Sequence, residues 1–302
     1  MKIDKAITTE KNHRSILLKK HEKQKLKRIY SKAIGAIVRL AFLAIATTLS
    51  AFPLVWMFLT SIKHRVDAFA KPPVFIFNPT FEAYETILGQ ERFINMLQNS
   101  IIVTIISTIL TLTAAATASY AVAFLYFRFK ASFMVGVLST RLLPPVVLVV
   151  PLFFLMRYLN LFDTKIGLAL ASAALNTPFA IILLIGFFRE IPISLVESAM
   201  LDGANHFFIL VRVVLPLAAP GVVVAAVLVS IFTWNDFLFA LILTSRRAAT
   251  LPLYAAGMIT DEGIYWSQLS ATGTLMLMPL IILFILLQNR LVTGLLKGAV
   301  KG

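Results

Sequence analysis

The sequence predicts an all-α polytopic membrane protein with six transmembrane helices, and three observations predict it. First, 59% of the 302 residues are hydrophobic and only 14% are charged, with a mean hydropathy of +0.87. An average soluble domain carries roughly 25% charged and 45–50% apolar residues, so this chain cannot cover a soluble surface. Second, six apolar runs each reach the roughly 20 residues that a helix needs to cross a hydrocarbon core about 30 Å thick. Third, the 28 Lys and Arg residues outnumber the 14 Asp and Glu residues, and they are unevenly placed. Cysteine is absent, which excludes a disulfide scaffold. The basic excess reads as a signal of orientation rather than as a nucleic-acid surface, which would need its charge displayed on a soluble face.

Residues 1–39 form a basic tail with twelve Lys and Arg residues, among them Lys19, Lys20, Lys23 and Arg28. It is too long and polar for a secretory signal, and the first apolar run is long enough to remain as an anchor. The expected spans cover about 40–62, 99–127, 132–156, 166–188, 213–236 and 267–287, making residues 40–302 one transmembrane domain. Because backbone groups in lipid must be satisfied within the segment, these runs are helices and not barrel strands. An even number of spans puts both termini on one side. With that side cytoplasmic, nineteen of the 28 basic residues lie inside and eight outside, so both termini are expected in the cytoplasm. The loop at 63–98, with Pro72, Pro73, Pro79 and the acids Glu82, Glu85 and Glu91, predicts a small structure on the outer face.

The inner loop 189–212 carries the most information. Ser194 can cap a helix while Glu197 reaches back to its backbone N–H, and Gly203 supplies a left-handed stop about two turns later. Leu195, Val196, Ala199 and Met200 make the apolar side. Such a helix either lies on lipid or docks on a protein, and it lacks the Lys/Arg-rich polar face of lipid-surface helices.

Glu197-Ser198-Ala199, three residues, Gly203, nine residues, then Val213-Val214-Leu215-Pro216 resembles the EAA loop of ATP-binding-cassette import permeases. Asp202-Gly203-Ala204 repeats the common core of that loop. Ser198 in place of the second alanine and Val213 in place of isoleucine are mild departures. Thr233-Trp234-Asn235-Asp236-Phe237-Leu238-Phe239-Ala240 is similar to a segment of the carbohydrate branch, as are Arg141-Leu142-Leu143-Pro144-Pro145 and the ending Gly298–Gly302. Within that branch the chain resembles the second permease subunit of maltose-type systems.

The resemblance implies a type I importer bundle in a bacterial inner membrane. It also implies a second permease subunit, two ATP-binding subunits and an extracytoplasmic sugar-binding protein as partners. The ATPase would rest on Glu197, Ser198, Ala199, Asp202, Gly203, Ala204, Leu215 and Pro216. ATP would then be bound by a partner, and the sequence itself contains no G-x-x-x-x-G-K-[ST] phosphate loop. No cofactor, metal or nucleic acid is expected in this chain, and no catalytic constellation stands out.

Polar residues at membrane depth are the candidates for a pathway. Arg141 lies about ten residues, or roughly 15 Å, into the third span, where a charge costs about 2.5–3.5 kcal/mol. Pro144, Pro145 and Pro151 just beyond it predict a broken helix. Arg141 either touches substrate or holds the bend through freed carbonyls. Asn176 lies at a similar depth and either faces Arg141 or bonds a neighbouring helix. On a straight helix Asp236 sits about 30 Å beyond Pro216, near the outer interface. Asn235 and Asp236 could receive sugar hydroxyls and Trp234 could stack on a sugar, or the three could form an interfacial anchor and helix end. Two other classes remain open at this point: an ion-gradient-driven secondary transporter, and a membrane scaffold that recruits a cytosolic protein. The former is expected to show intramembrane acids and inverted halves.

Overall fold

A computed structural model describes residues 35–261 and 263–299, with side chains as far as residue 288. Most of the basic tail and the final residues of the Gly298–Gly302 ending lie outside the described residues. The chain divides into two units, residues 1–59 and 60–302. The first holds nearly all of α1 (Gly35–Ser61), an apolar helix long enough to cross a bilayer.

In the second unit, the expected small structure at 63–98 is built from α2 (Arg65–Phe69), α3 (Glu82–Leu88) and the first turns of α4 (Glu91–Phe124). Ala83 and Ile87 of α3 are buried with Phe93 and Met96 of α4. At 34 residues, α4 starts eight residues before the predicted span. Its buried Val103, Ser107, Thr111, Ala115 and Ser119 recur every fourth residue, forming a stripe of small side chains on one face. Small residues let helix backbones approach closely in a membrane protein. Here the stripe packs along α7 (Lys165–Phe188) and α11 (Ala219–Trp234). Ser119 Oγ donates to the Ile181 carbonyl at 3.1 Å, Ser107 and Thr233 hydroxyls meet at 3.2 Å, and Thr108 and Ser230 at 3.0 Å. Each such bond between membrane helices is worth on average about 0.6 kcal/mol. The approach of α7 and α11 is tight enough that a Cβ on Gly221 would run into the Phe187 ring.

Two of the six expected spans are not straight. Residues 132–156 form α5 (Lys130–Leu142) and α6 (Pro145–Tyr158), bent by 100° at the break. The cause is local: a residue before proline is kept out of the α region, and Leu143 has ψ 126° and Pro144 ψ 133°. The fifth span begins earlier than expected, with α9 (His206–Ile209), a π-helical turn at Leu210–Val214 and α10 (Leu215–Leu217). Ala218 then separates it from α11, and the two parts are bent by 85°. Pro216 and Pro220 flank the bend and lack the N–H groups that would continue the ladder. Among the described residues, four helices are therefore long and apolar enough to cross a membrane, and the number rises to six if each bent pair is one crossing.

The chain closes with α12 (Leu238–Leu243), α13 (Leu251–Ala256), a two-residue antiparallel pair β1 (Ile259–Thr260) and β2 (Gly263–Ile264), and the long α14 (Trp266–Ala299). α14 packs on α3 and α11.

Candidate functional site: a loop helix and a polar cleft

Residues 189–204 contain α8 (Ile193–Leu201), one helix packed on the core through Val196 and Ala199. Its start differs from the expected capping box. Pro192 is the N-cap and no side chain caps the helix, so Ser194 and Glu197 lie inside its first turns. With φ of Pro192 fixed at −58°, Leu195 N–H reaches the Pro192 carbonyl at 3.1 Å and the helix starts directly after the ring. Its end is as the sequence predicts. Gly203 adopts φ +84°, its N–H bonds to Met200 O at 3.0 Å, and Ala204 N–H bonds to Ala199 O at 3.0 Å. That pair of bonds is the Schellman closure, and it needs a residue in the left-handed region.

The two faces of α8 do different things. Val196 is 1% exposed and sits in the same core as Phe188, Ile209 and Val214, with Ala199 and Ala204 packed against it. The small size of Ala199 thus serves the approach of α8 to its own bundle. On the other side Leu195, Glu197, Ser198, Met200, Leu201 and Asp202 are exposed, Leu201 at 90%. Beyond the cap, Asn205 Oδ1 accepts from Phe208 N–H at 2.8 Å and starts α9. His206 Nδ1 and the Tyr120 hydroxyl are hydrogen-bonded at 3.0 Å, joining this segment to α4. Leu215 is partly buried on the same core, and Pro216 is exposed at the approach to the bend.

A second feature gathers most of the pathway candidates. Arg141, Asn176, Asn235 and Asp236 all line one open cleft of about 470 Å³, together with Thr140, Pro145, Ser172, Phe232 and Phe237. One wall is the α5–α6 break and the other is the end of α11. Arg141 occupies the last turn of α5, where its charge suits the helix dipole. Its guanidinium lies 5.3 Å from the centre of the Phe179 ring, and no carboxylate of the described residues pairs with it. Asp236 accepts from Phe239 N–H at 3.2 Å and from Ser172 Oγ at 3.4 Å. Asn176 Nδ2 donates to Thr233 Oγ1 at 3.2 Å, a helix–helix bond of the kind expected for it.

Two expectations for this region need correction. The straight-helix depth of Asp236 does not apply, because α11 is only 16 residues long and starts after the 85° bend. Trp234 does not line the cleft. It is 4% exposed, and its indole N–H donates to Met276 O of α14 at 3.1 Å, so its ring cannot stack on a sugar.

Sequence reasoning missed a polar clamp elsewhere in the fold. Asp163, at φ 55°, receives the backbone N–H groups of Ser245, Arg246, Arg247 and Ala248 at 2.8–3.2 Å. Partial burial pushes its carboxyl up, but the four N–H donors together outweigh this and hold it below the usual carboxylate range. Asn99 Nδ2 donates to the carbonyls of Arg247 and Ala249 at 2.9 Å each, and Leu251 N–H donates to Ser100 Oγ at 2.9 Å. The available signal was an Asn-Leu-Phe-Asp-Thr turn and two polar residues inside an apolar run.

A helical bundle built on a small-residue stripe, with long apolar helices, two bent helix pairs and a loop helix packed on its core, defines a polytopic membrane protein. Residues 115–297 match the family described as the binding-protein-dependent transport system inner membrane component. The chain belongs to that family and is a membrane protein; members of this class are permease subunits and not enzymes. It is 37% identical over 250 residues to a probable ABC transporter permease protein of Sinorhizobium fredii, covering 83% of this chain and 90% of the relative. It is also 37% identical over 253 residues to a trehalose transport system permease protein of Mycobacterium tuberculosis, covering 83% and 92%. Among solved structures, a subunit of a bacterial ABC transporter involved in import of the acidic polysaccharide alginate matches with a TM-score of 0.73 and 25% identity, over 86% of this chain and 97% of that one.

Proposed function

We propose that this chain forms half of the translocation pathway for a sugar or sugar derivative and is driven by a separate ATP-binding subunit through α8. The observation that carries this reading is the two-faced α8. Val196, Ala199 and Ala204 anchor it in the core, while Leu195, Glu197, Leu201 and Asp202 present an unlike face of apolar and acidic groups. A helix rooted in the core moves with the bundle, so a partner gripping the exposed face can move the bundle. Glu197 and Asp202 suit charge-assisted bonds to a basic rim. The two broken crossings supply the non-helical backbone that is tolerated at membrane depth only where it lines a cavity. Both termini and the α8 loop then lie in the cytoplasm, and the other pathway half comes from a second permease subunit. A sequence relative named for trehalose transport and a structural neighbour involved in import of the acidic polysaccharide alginate support carbohydrate as the substrate class.

In the 470 Å³ cleft, Arg141 and Asn235 are the donors and Asp236 the acceptor that a sugar's hydroxyls would meet. The test is reconstitution of the complete transporter in vesicles with its binding protein. Uptake should require ATP, survive collapse of ion gradients, and rise with loaded binding protein; uptake that follows the ion gradient instead would sink the proposal. In the same vesicles, Arg141→Ala should reorder the preference among competing sugars, and Arg141→Lys should restore part of the order. An unchanged order would leave Arg141 as the residue that holds the bend.

A further inference from the structure

A second polar pocket, away from the cleft, contains a buried group with no partner. Lys63, Arg65, Glu82, Tyr265, Ser267 and Gln268 line an open cavity of about 170 Å³. Ser267 is 8% exposed, and its hydroxyl makes no hydrogen bond with the described residues. Buried polar groups normally find partners, so a hydroxyl left open beside a cavity marks a place for a ligand atom. Lys63 is 3% exposed and fixed in position: its Nζ donates to Val74 O at 2.7 Å and lies 4.9 Å from the centre of the Phe77 ring. Arg65 is exposed, with its guanidinium 4.7 Å from the centre of the Tyr265 ring, and among the described residues no carboxylate pairs with it. Glu82 is exposed at the mouth, 3.7 Å from His64. The walls are tied together, since the Ser61 and Tyr84 hydroxyls meet at 2.7 Å and Thr80 N–H donates to Ile62 O at 2.9 Å.

The pocket's place in the chain indicates what reaches it. Lys63 comes two residues after α1, and Ser267 lies in the first turn of α14; both helices are long and apolar enough to cross a bilayer. Trp266, next to Ser267, is 41% exposed, and Trp beside Lys and Arg at the ends of spans belongs at the headgroup level. The cavity is smaller than the roughly 300–1,000 Å³ of sites that enclose drug-sized ligands, so it suits a headgroup and not an oligosaccharide. Two cations and the N-terminal turn of α14 favour an anion, and Ser267 and Gln268 add donors for its oxygens. The Glu82 carboxylate at the mouth favours an amine beside that anion. We propose that this pocket holds the headgroup of an aminophospholipid, with its phosphate against Lys63, Arg65 and Ser267 and its amine towards Glu82. The proposal rests on the membrane-spanning chain alone and not on the transport reading above.

The experiment uses the complete transporter, stripped of lipid in detergent and titrated with phosphatidylethanolamine, phosphatidylcholine or phosphatidylglycerol. Bound lipid is counted by native mass spectrometry. Phosphatidylethanolamine should fill one site per copy of this chain about tenfold more tightly than phosphatidylcholine, whose blocked amine cannot donate to Glu82. Arg65→Glu should weaken that site about tenfold or more, and the charge-keeping Arg65→Lys should retain most of it. Ser267→Ala should weaken lipid binding yet leave the lipid-free transporter as heat-stable as the parent, because the hydroxyl has no partner to lose. Equal binding by the parent and Arg65→Glu overturns the proposal, as does a preference for either of the other lipids or for none. A loss of lipid-free stability in Ser267→Ala gives the hydroxyl a protein partner and also overturns it. Displacement of the lipid by inorganic phosphate at equal concentration assigns the pocket to a free anion instead. Unchanged lipid binding in Arg65→Glu with weakened stimulation by the binding protein assigns it to that protein, and the lipid site falls.

Discussion

Gly203 offers the sharpest test of the α8 loop, because two different reasons for a glycine there can be separated by three substitutions. Its φ of +84° is a conformation that an L-residue occupies at a cost of about 1–2 kcal/mol. A Cβ built on it meets nothing within 4 Å, so within this chain the cost of Gly203→Ala is backbone strain alone. If the strained residue instead leaves the left-handed region, the bonds Gly203 N–H to Met200 O and Ala204 N–H to Ala199 O are lost, at about 0.5–1.5 kcal/mol each. The first route disfavours the closed cap by a factor of about 5–30, and the second, at about 1–3 kcal/mol for the two bonds, by a factor of about 5–150. Gly203→Val should cost more than Gly203→Ala, because a β-branched side chain tolerates the left-handed region worse.

Asparagine divides the explanations, since it tolerates the left-handed region while adding a side chain. If Gly203 matters only as a helix stop, Gly203→Asn should transport nearly as well as the parent while Gly203→Ala is impaired. If a partner closes on the loop at this point, Gly203→Asn should be impaired at least as strongly as Gly203→Ala. The assay is sugar uptake and stimulated ATPase activity in vesicles, with co-purification of the ATP-binding subunit as the measure of docking. Full uptake and normal co-purification in all three variants would refute both halves of the reasoning.

Two further outcomes follow from hydrogen bonds already described. Trp234→Phe keeps most of the buried ring but leaves the Met276 carbonyl without its donor, so it should lower stability by about 0.5–1.5 kcal/mol without altering sugar preference. Thermal unfolding and competition uptake would check this; a reordered preference would contradict the buried position. Asp163 is held ionised by four backbone donors, and its depressed folded pKa fixes the sign of its pH dependence. The clamp should be complete above the ordinary carboxylate range and lost as pH falls through the lower folded value. At neutral pH, Asp163→Asn should speed amide exchange at residues 245–248, and unchanged exchange there would show that the clamp contributes nothing.

The spans were legible because bilayer thickness leaves a signal about 20 residues long, and α7 at Lys165–Phe188 lies within one residue of its expected start. Proline alone was an ambiguous guide. Pro178 sits inside α7 without breaking it, whereas Pro144 keeps Leu143 extended, Pro145 keeps Pro144 extended, and the chain turns by 100° there. The spacing from Glu197 to Gly203 marked the loop helix and its stop, because a left-handed closure depends on local backbone chemistry. Its start was misread because Pro192 replaces a side-chain cap with a fixed dihedral. What could not be read were choices set by distant packing. Whether Trp234 faces the cleft or α14 depends on a carbonyl 42 residues away, and the role of Asp163 depends on amides more than 80 residues away.

The polar ties of α4 bear on how the two ends of the molecule can be related. Near one end Tyr120 is bonded to His206, just beyond the α8 cap. Twenty residues earlier, about 30 Å along the helix, Ser100 and Asn99 hold the segment from Arg247 to Leu251. Between them the stripe from Val103 to Ser119 is packed against α7 and α11 with little room to yield. A displacement of the α8 segment therefore has two outlets: it breaks the Tyr120–His206 bond, or it moves α4 and carries the 247–251 segment with it. A single hydroxyl–imidazole bond is worth about 1 kcal/mol net, so it cannot carry a large displacement by itself. The buried contacts of Val196, Ile209 and Val214 with Phe188 of α7 and the α4 face must transmit the rest. If a partner displaces α8 as proposed, α4 and α7 are expected to move as one packed pair, with the bends at Leu143–Pro144 and at Ala218 taking up the difference.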